Sequence, residues 1–166
     1  MVKEILDVYD KNGIFTGKKI NRGEKLQQGE YIMVAQIFLR NFQNKYLIQK
    51  RALDKSFLPG VWDVSGGATM TNETSQDAAI RENFEEIGIE LEKKNMKFLG
   101  RYFDKTAIFD MWLAEKNFTL NDCVLEKTEV DSVKFVTKEE LIEIIKTAKH
   151  RDDIYKKIAI NALLEV

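Results

Sequence analysis

The 166-residue chain has a single cysteine, Cys123, a single proline, Pro59, and a single histidine, His150. One cysteine excludes an intrachain disulfide and any metal cluster built on several thiolates. The charges nearly cancel, with 26 Lys and Arg against 27 Asp and Glu, so there is no overall basic field to hold nucleic acid tightly or to bind an anionic membrane. No apolar run approaches the roughly 20 residues needed to span a bilayer. The stretch MVKEILDVYD carries acids where a signal peptide would be apolar, and a cytoplasmic location is expected. Repeats, low-complexity tracts and Ser/Gly-rich linkers are also missing, so residues 1–166 are expected to form one domain.

Hydrophobic residues make up 44% of the chain and charged residues 32%, the balance of a globular protein with a core of its own. Alternation over Glu4–Tyr9 predicts a strand, and Asp10-Lys11-Asn12-Gly13 a turn. Lys18–Lys25 is expected to return as a polar strand at the sheet edge, where pairing with a second copy stays open, so a homodimer is compatible with the sequence. Tyr31–Leu39 is almost continuously apolar, as a strand covered on both faces would be. Further strands are predicted at Tyr46–Gln49, Val61–Ser65 (ending at Gly66-Gly67), Phe98–Phe103, Ala107–Ala114 and Ser132–Val136. Helices are predicted over Thr74–Ile87, stopped by Gly88, over Lys138–Ala148, opened by a Thr137/Glu140 capping box, and over Asp152–Leu164. Strands interspersed with three helices give an α/β domain: a mixed sheet with helices packed on its faces.

One segment stands out. GATMTNETSQDAAIRENFEEIGI, residues 67–89, holds Glu73, Glu82, Glu85 and Glu86. At about 100° per residue, Glu85 and Glu86 fall at roughly −60° and +40° from Glu82, beside it on the helix surface. Ile80, Phe84 and Ile87 fall on the opposite side and are expected to anchor the helix in the core, with Asn83 at the edge of that arc. The small residues Ser75 and Ala78 share the acidic face and leave room for an approaching ligand. Such a face is either solvated or holds something positive. Hard carboxylate oxygens, with a backbone carbonyl at Gly66 as a further donor, suit Mg²⁺ or Mn²⁺, which keep waters and bridge to substrate phosphates.

The pattern Gly67, Glu73, Arg81-Glu82, Glu85-Glu86, Gly88-Ile89 resembles the Nudix box. LIQKRALDKSFLPGVWDVSGG before it and EVDSVKFVTKEEL after it extend the resemblance through most of the chain. The resemblance implies an α/β/α Nudix sandwich, with helices on both faces of a mixed sheet, that cleaves a diphosphate linkage in a nucleoside diphosphate derivative or related small molecule. Carried over by position, Glu82, Glu85 and Glu86 would bind metal and activate water, and Glu73 and Arg81 would form a supporting ion pair. Asn83 departs from the family pattern, where an apolar residue is usual.

Outside the box, Lys50, Arg51 and Lys55 are candidates for substrate phosphates, and Glu129 for a further acid. Trp62 is expected to pack in the core or a loop, Cys123 to be a structural thiol, and His150 to be a surface histidine in a basic turn. RALDKSFLPGVW looks like the corresponding stretch of isopentenyl diphosphate isomerases and their hydrolase relatives. That isomerase chemistry uses a cysteine after the tryptophan and histidines around its metal. Trp62–Gly67 has no cysteine, and Ala68 stands where a histidine would be expected, which favours a hydrolase of the isomerase-like branch. A Nudix fold serving only to bind a ligand or partner is the non-enzymatic alternative.

Overall fold

The computed structural model describes residues 4–166, so the first three residues of the acidic N-terminal stretch lie outside the described residues. Strands β1 (Ile5–Tyr9) and β2 (Phe15–Asn21) pair antiparallel as a separate two-stranded ribbon. The main sheet contains β3 (Ile32–Arg40), β4 (Tyr46–Arg51), β5 (Trp62–Asp63), β6 (Ser65–Ala68), β7 (Met96–Phe103), β8 (Ala107–Glu115) and β9 (Val130–Val136). The helices are α1 (Ser75–Ile87), α2 (Lys138–Thr147) and α3 (Asp153–Leu164).

The sheet is mixed. β3 and β8 run parallel over nine residues, and the other pairs are antiparallel. On its other edge β3 changes partner: Val34–Ile37 pair with β6, while Leu39 and Arg40 pair with β4. Alternate β3 side chains go to opposite faces. Ala35, Ile37 and Leu39 pack with Ala78, Ala79 and Ile87 of α1, whereas Phe38 joins Leu141, Tyr155 and Leu163 of α2 and α3. This double coverage explains the apolar run in β3 and makes the fold an α/β/α sandwich.

The return strand after the first turn differs from expectation. It begins at Phe15, ends at Asn21 and belongs to the ribbon, not to the edge of the main sheet. The ribbon is held against the box loop: Thr71 donates its amide to the Ile5 carbonyl, and its hydroxyl to Asp7 at 2.7 Å. The expected strand Val61–Ser65 is two strands with different partners, β5 on β4 and β6 on β3, and β6 runs through the glycines instead of stopping there. Gly66 permits this, because a Cβ there would lie 2.3 Å from the Ala35 carbonyl oxygen.

Helix α1 is capped at both ends. Thr74 accepts from the Asp77 amide, and Gly88, at φ +74°, donates its amide to the Phe84 carbonyl. Thr137 and Glu140 form a capping box before α2, and Asp152 caps α3 through the Tyr155 amide.

Candidate active site

The buried side of α1 is only in part the apolar arc that periodicity suggests: Ile80 and Ile87 pack inward, and Phe84 does not. Ser75, Ala78, Ala79, Asn83, Glu86 and Ile87 are buried, Ile80 is partly buried, and Phe84 is 51% exposed. Small side chains bring the helix close to β3 and β6, and this carries Glu86 into the interface. There Glu86 is only 5% exposed and accepts from Gln49 Nε2 at 2.9 Å. Gln49 is fixed in turn by the Ser65 hydroxyl, which donates to its Oε1. Burial pushes the Glu86 carboxyl up to about 8; the neighbouring Glu82 adds to the rise, and the Gln49 amide and the Gly66 backbone oppose it. Asn83, fully buried, donates Nδ2 to the Ile89 carbonyl at 2.6 Å and ties the helix to the chain beyond Gly88.

Arg81 is the hub of the remaining carboxylates. Its Nε and Nη2 donate to the two oxygens of Glu73 at 2.7 and 3.0 Å, and Nη2 also reaches the Ala68 carbonyl. Its Nη1 donates to Glu82 Oε1 at 2.7 Å and Glu85 Oε2 at 3.1 Å. Glu73 also accepts from the Met70 amide. Burial raises the Glu73 carboxyl, but Arg81 and the Met70 amide outweigh it and hold the group below its ordinary range. Burial dominates at Glu82 and raises it despite Arg81.

Gly67 keeps the strand clear of the helix. A Cβ there would lie 2.2 Å from the Glu82 carboxyl carbon, so Glu82 rests directly on backbone. Glu85 is the outward member of the three, with its side chain 53% exposed.

The candidates outside the box are dispersed. Arg51 donates Nε to the Phe57 carbonyl at 3.0 Å, and its guanidinium lies over the Phe57 ring. It lines a cavity of about 200 Å³ whose wall includes Gln49 and Gly66, next to Glu86. Lys50 turns instead to Asp131 at 3.7 Å and is not part of that wall. Glu129 is paired with Lys55 at 2.6 Å, yet it adds to the field on Glu86. Trp62 packs against the α2–α3 core under Lys134, whose Nζ is 4.3 Å from the ring centroid. Cys123 is a free, half-buried thiol beside the α1 core.

His150 is not a surface residue. Its side chain is 14% exposed and places Nε2 3.0 Å from Asp63 Oδ2, which also accepts from Arg151 Nη2 at 2.8 Å. This pairing joins residues 87 and 88 positions apart, so no local pattern announces it. Gln49 likewise carries no signal in the chain: it simply follows Tyr46-Leu47-Ile48 and precedes Lys50 and Arg51. Arg22, at the end of the ribbon, has a similar hidden relation to the site. It is paired with Glu4, and its charge acts on Glu82.

Among the described residues, no group of three His, Cys, Asp or Glu side chains stands ready as a metal cluster. Arg81 lies between Glu82 and Glu85 and draws their oxygens to itself. The donor set nonetheless fits a hard divalent cation: all the donors are oxygens, and one of the carboxylates, Glu86, is buried at the sheet-to-helix interface.

The NUDIX domain model matches residues 30–158, covering both the carboxylate helix and the cavity wall. An uncharacterised Nudix hydrolase of Listeria monocytogenes is 40% identical over 136 residues, which span 81% of this chain and 80% of that protein. Isopentenyl-diphosphate Delta-isomerase 1 of Bos taurus is 28% identical over 90% of this chain and 76% of its own length. The crystal structure of DR0079 from Deinococcus radiodurans superposes with a TM-score of 0.73 at 22% identity, covering 94% of this chain and 98% of that one. A MutT protein from Methanosarcina mazei gives a TM-score of 0.62 at 19% identity, over 85% and 98% of the two chains. The sandwich and its box helix define a Nudix domain, and the chain belongs to the Nudix family. Family membership makes it a hydrolase of that general class. No helix among the described residues is long and apolar enough to cross a membrane.

Proposed function

We propose that the chain is a divalent-metal-dependent pyrophosphohydrolase, acting as a single domain on a diphosphate linkage in a nucleoside diphosphate derivative or related small molecule. The observation that carries this reading is the convergence of Glu82 and Glu86 beneath the Gly66-Gly67 strand, beside a cavity walled by Gln49 and Gly66, with the more exposed Glu85 tied to Glu82 through Arg81. Glu82, Glu85 and Glu86 would hold Mg²⁺ or Mn²⁺, with the Gly66 carbonyl as a further donor. When bound, such an ion supplies neutralisation of phosphate oxygens and a more acidic water.

The chain's own groups do the rest. Glu82, seated on the Gly67 backbone, accepts the proton of the attacking water as a phosphorus–oxygen bond of the diphosphate breaks. Glu73 orients Arg81, which keeps Glu82 and Glu85 together until substrate and cation arrive. Arg51 faces the cavity and binds a phosphate oxygen; Lys50 and Glu129 contribute from the margin through their field.

We place the chain in the isomerase-like branch as a hydrolase. The stretch from Arg51 to Trp62 supports the branch. The absence of cysteine from Trp62–Gly67, together with the engagement of the sole histidine on Asp63, speaks against isomerisation. A cytoplasmic site of action accords with a small-molecule diphosphate, and a homodimer through the ribbon edge is compatible with it.

The test is a panel of nucleoside di- and triphosphates and their conjugates, incubated with Mg²⁺ or Mn²⁺, with released phosphate or nucleotide as the readout. Metal-dependent turnover that disappears in Glu86→Gln supports the hydrolase. Metal binding with no turnover across the panel would move the reading to a ligand-binding module.

A further inference from the structure

The cavity beside Glu86 has a wall that the carboxylate helix does not supply. On one side stand Asp63, from β5, and His150 and Arg151, from the turn between α2 and α3. Asp63 Oδ2 holds both basic side chains, while Oδ1 accepts from the Val64 amide. The Arg151 guanidinium is stacked as well, 4.5 Å from the Tyr155 ring centroid and 5.5 Å from that of Phe109. Its charge is therefore committed inside the protein and is not offered to a ligand. Arg51, from β4, and Asp104, whose charge acts on Arg151, add one charge of each sign. Arg51 and Arg151 against Asp63 and Asp104 cancel formally, and the remaining wall is largely apolar and aromatic, with Val34, Leu58 and Phe109.

Resting on the proposal that the carboxylates act on a diphosphate, we infer that this cavity takes the group beyond the diphosphate, that this group is uncharged, and that Asp63 is the positioning residue that sets the preference. Asp63 does so by holding His150 and Arg151 against the strand that leads to Gly66, which keeps the wall neutral. With Arg51 taken up by the diphosphate itself and Arg151 held by Asp63, a further phosphate on the distal group finds no second free cation in the wall and is desolvated without a partner. A hydroxyl-bearing or ring-shaped neutral group meets apolar surface and the side-chain amides of Gln36 and Gln49.

The experiment measures binding rather than turnover. Two methylene-diphosphate diesters, resistant to hydrolysis, end in the same hydroxyl-bearing sugar; one of the sugars carries an added phosphate monoester. Affinities are determined with Mg²⁺ for the wild-type protein, Asp63→Asn and Arg151→Gln, each shown to be folded by its melting transition. Wild type should favour the neutral probe. Asp63→Asn frees the Arg151 charge and should shift the ratio toward the phosphorylated probe by on the order of tenfold, an effect that shrinks at high salt. Arg151→Gln leaves Asp63 uncompensated and should shift the ratio the opposite way. Loss of packing alone would weaken both probes alike and would not reverse sign between the two variants. An unchanged ratio in folded Asp63→Asn, or a shift of the same sign in both variants, would overturn the inference alone. Failure of both probes to bind wild type would overturn the diphosphate reading and this inference with it.

Discussion

Gln49 and Glu86, on β4 and α1, are joined by one hydrogen bond of 2.9 Å across the sheet-to-helix interface. Gln49 is itself buried and satisfied on its other side by Ser65, so the three side chains form a short polar chain within an apolar layer. Gln49→Leu leaves Glu86 and the Ser65 hydroxyl without this partner. A loss of about 1–3 kcal/mol is expected from stranding such groups. Urea unfolding followed by circular dichroism measures it, and an unchanged midpoint would show that the pair contributes nothing.

The Glu73–Arg81 pair makes two hydrogen bonds in a partly buried setting. Glu73→Gln should lower stability at neutral pH by about 1–3 kcal/mol. The sign of its pH dependence follows from the depressed folded-state value. The stabilisation is complete above the unfolded value of roughly 4.3 and is lost as pH falls through the lower folded value. Melting curves collected across the acid range should therefore converge for variant and wild type at the lowest pH. A constant gap at every pH would contradict the assignment.

Adjacent glycines should respond differently to a methyl group. At Gly66 the added carbon meets the Ala35 carbonyl oxygen in the middle of a strand pair, where little can yield. Gly66→Ala is expected to destabilise by about 1–3 kcal/mol or more. At Gly67 the obstruction is the end of a glutamate side chain, which can swing aside. Gly67→Ala should therefore leave the melting temperature nearer wild type while displacing Glu82 and abolishing turnover. Comparing melting temperature with activity for the two variants separates these outcomes; equal losses of both would refute the distinction.

The exposed side of α1 offers a simpler comparison. Phe84→Ser should change stability by less than about 0.5 kcal/mol. Ile87→Ala, at a fully buried position, should lower it by about 2–5 kcal/mol. Chemical denaturation of both variants decides the matter, and a larger loss at Phe84 would restore the simple apolar face.

The contrast at Phe84 also shows what could and could not be read from the chain. The ends of α1 were legible because Thr74 and Gly88 act through their own backbone neighbours. The double coverage of β3 was legible because it needs an unbroken apolar run. The buried arc of α1 is legible at Ile80 and Ile87 but not at Phe84, because hydrophobic periodicity equates apolar with buried. Here Ser75, Ala78 and Ala79 are inside because they are small, and Glu86 is inside because Gln49 receives it. The division of Val61–Ser65 into two strands depends on which partner strand lies alongside, and the burial of His150 depends on Asp63. Both are long-range facts with no local trace.

The partner change along β3 has a further consequence. Between Ile37 and Leu39 one edge of the strand passes from β6 to β4, and residues of all three strands, among them Gln36, Gln49 and Gly66, line the cavity. Its floor is thus a seam whose backbone groups are already paired on either side, and its rim is made by Phe57 and Leu58 from the turn between β4 and β5. Substitutions on that turn can reshape what the seam admits while both helical layers and the glutamate helix keep their packing. If the cavity takes the distal group as proposed, selectivity and fold are separately mutable in this molecule.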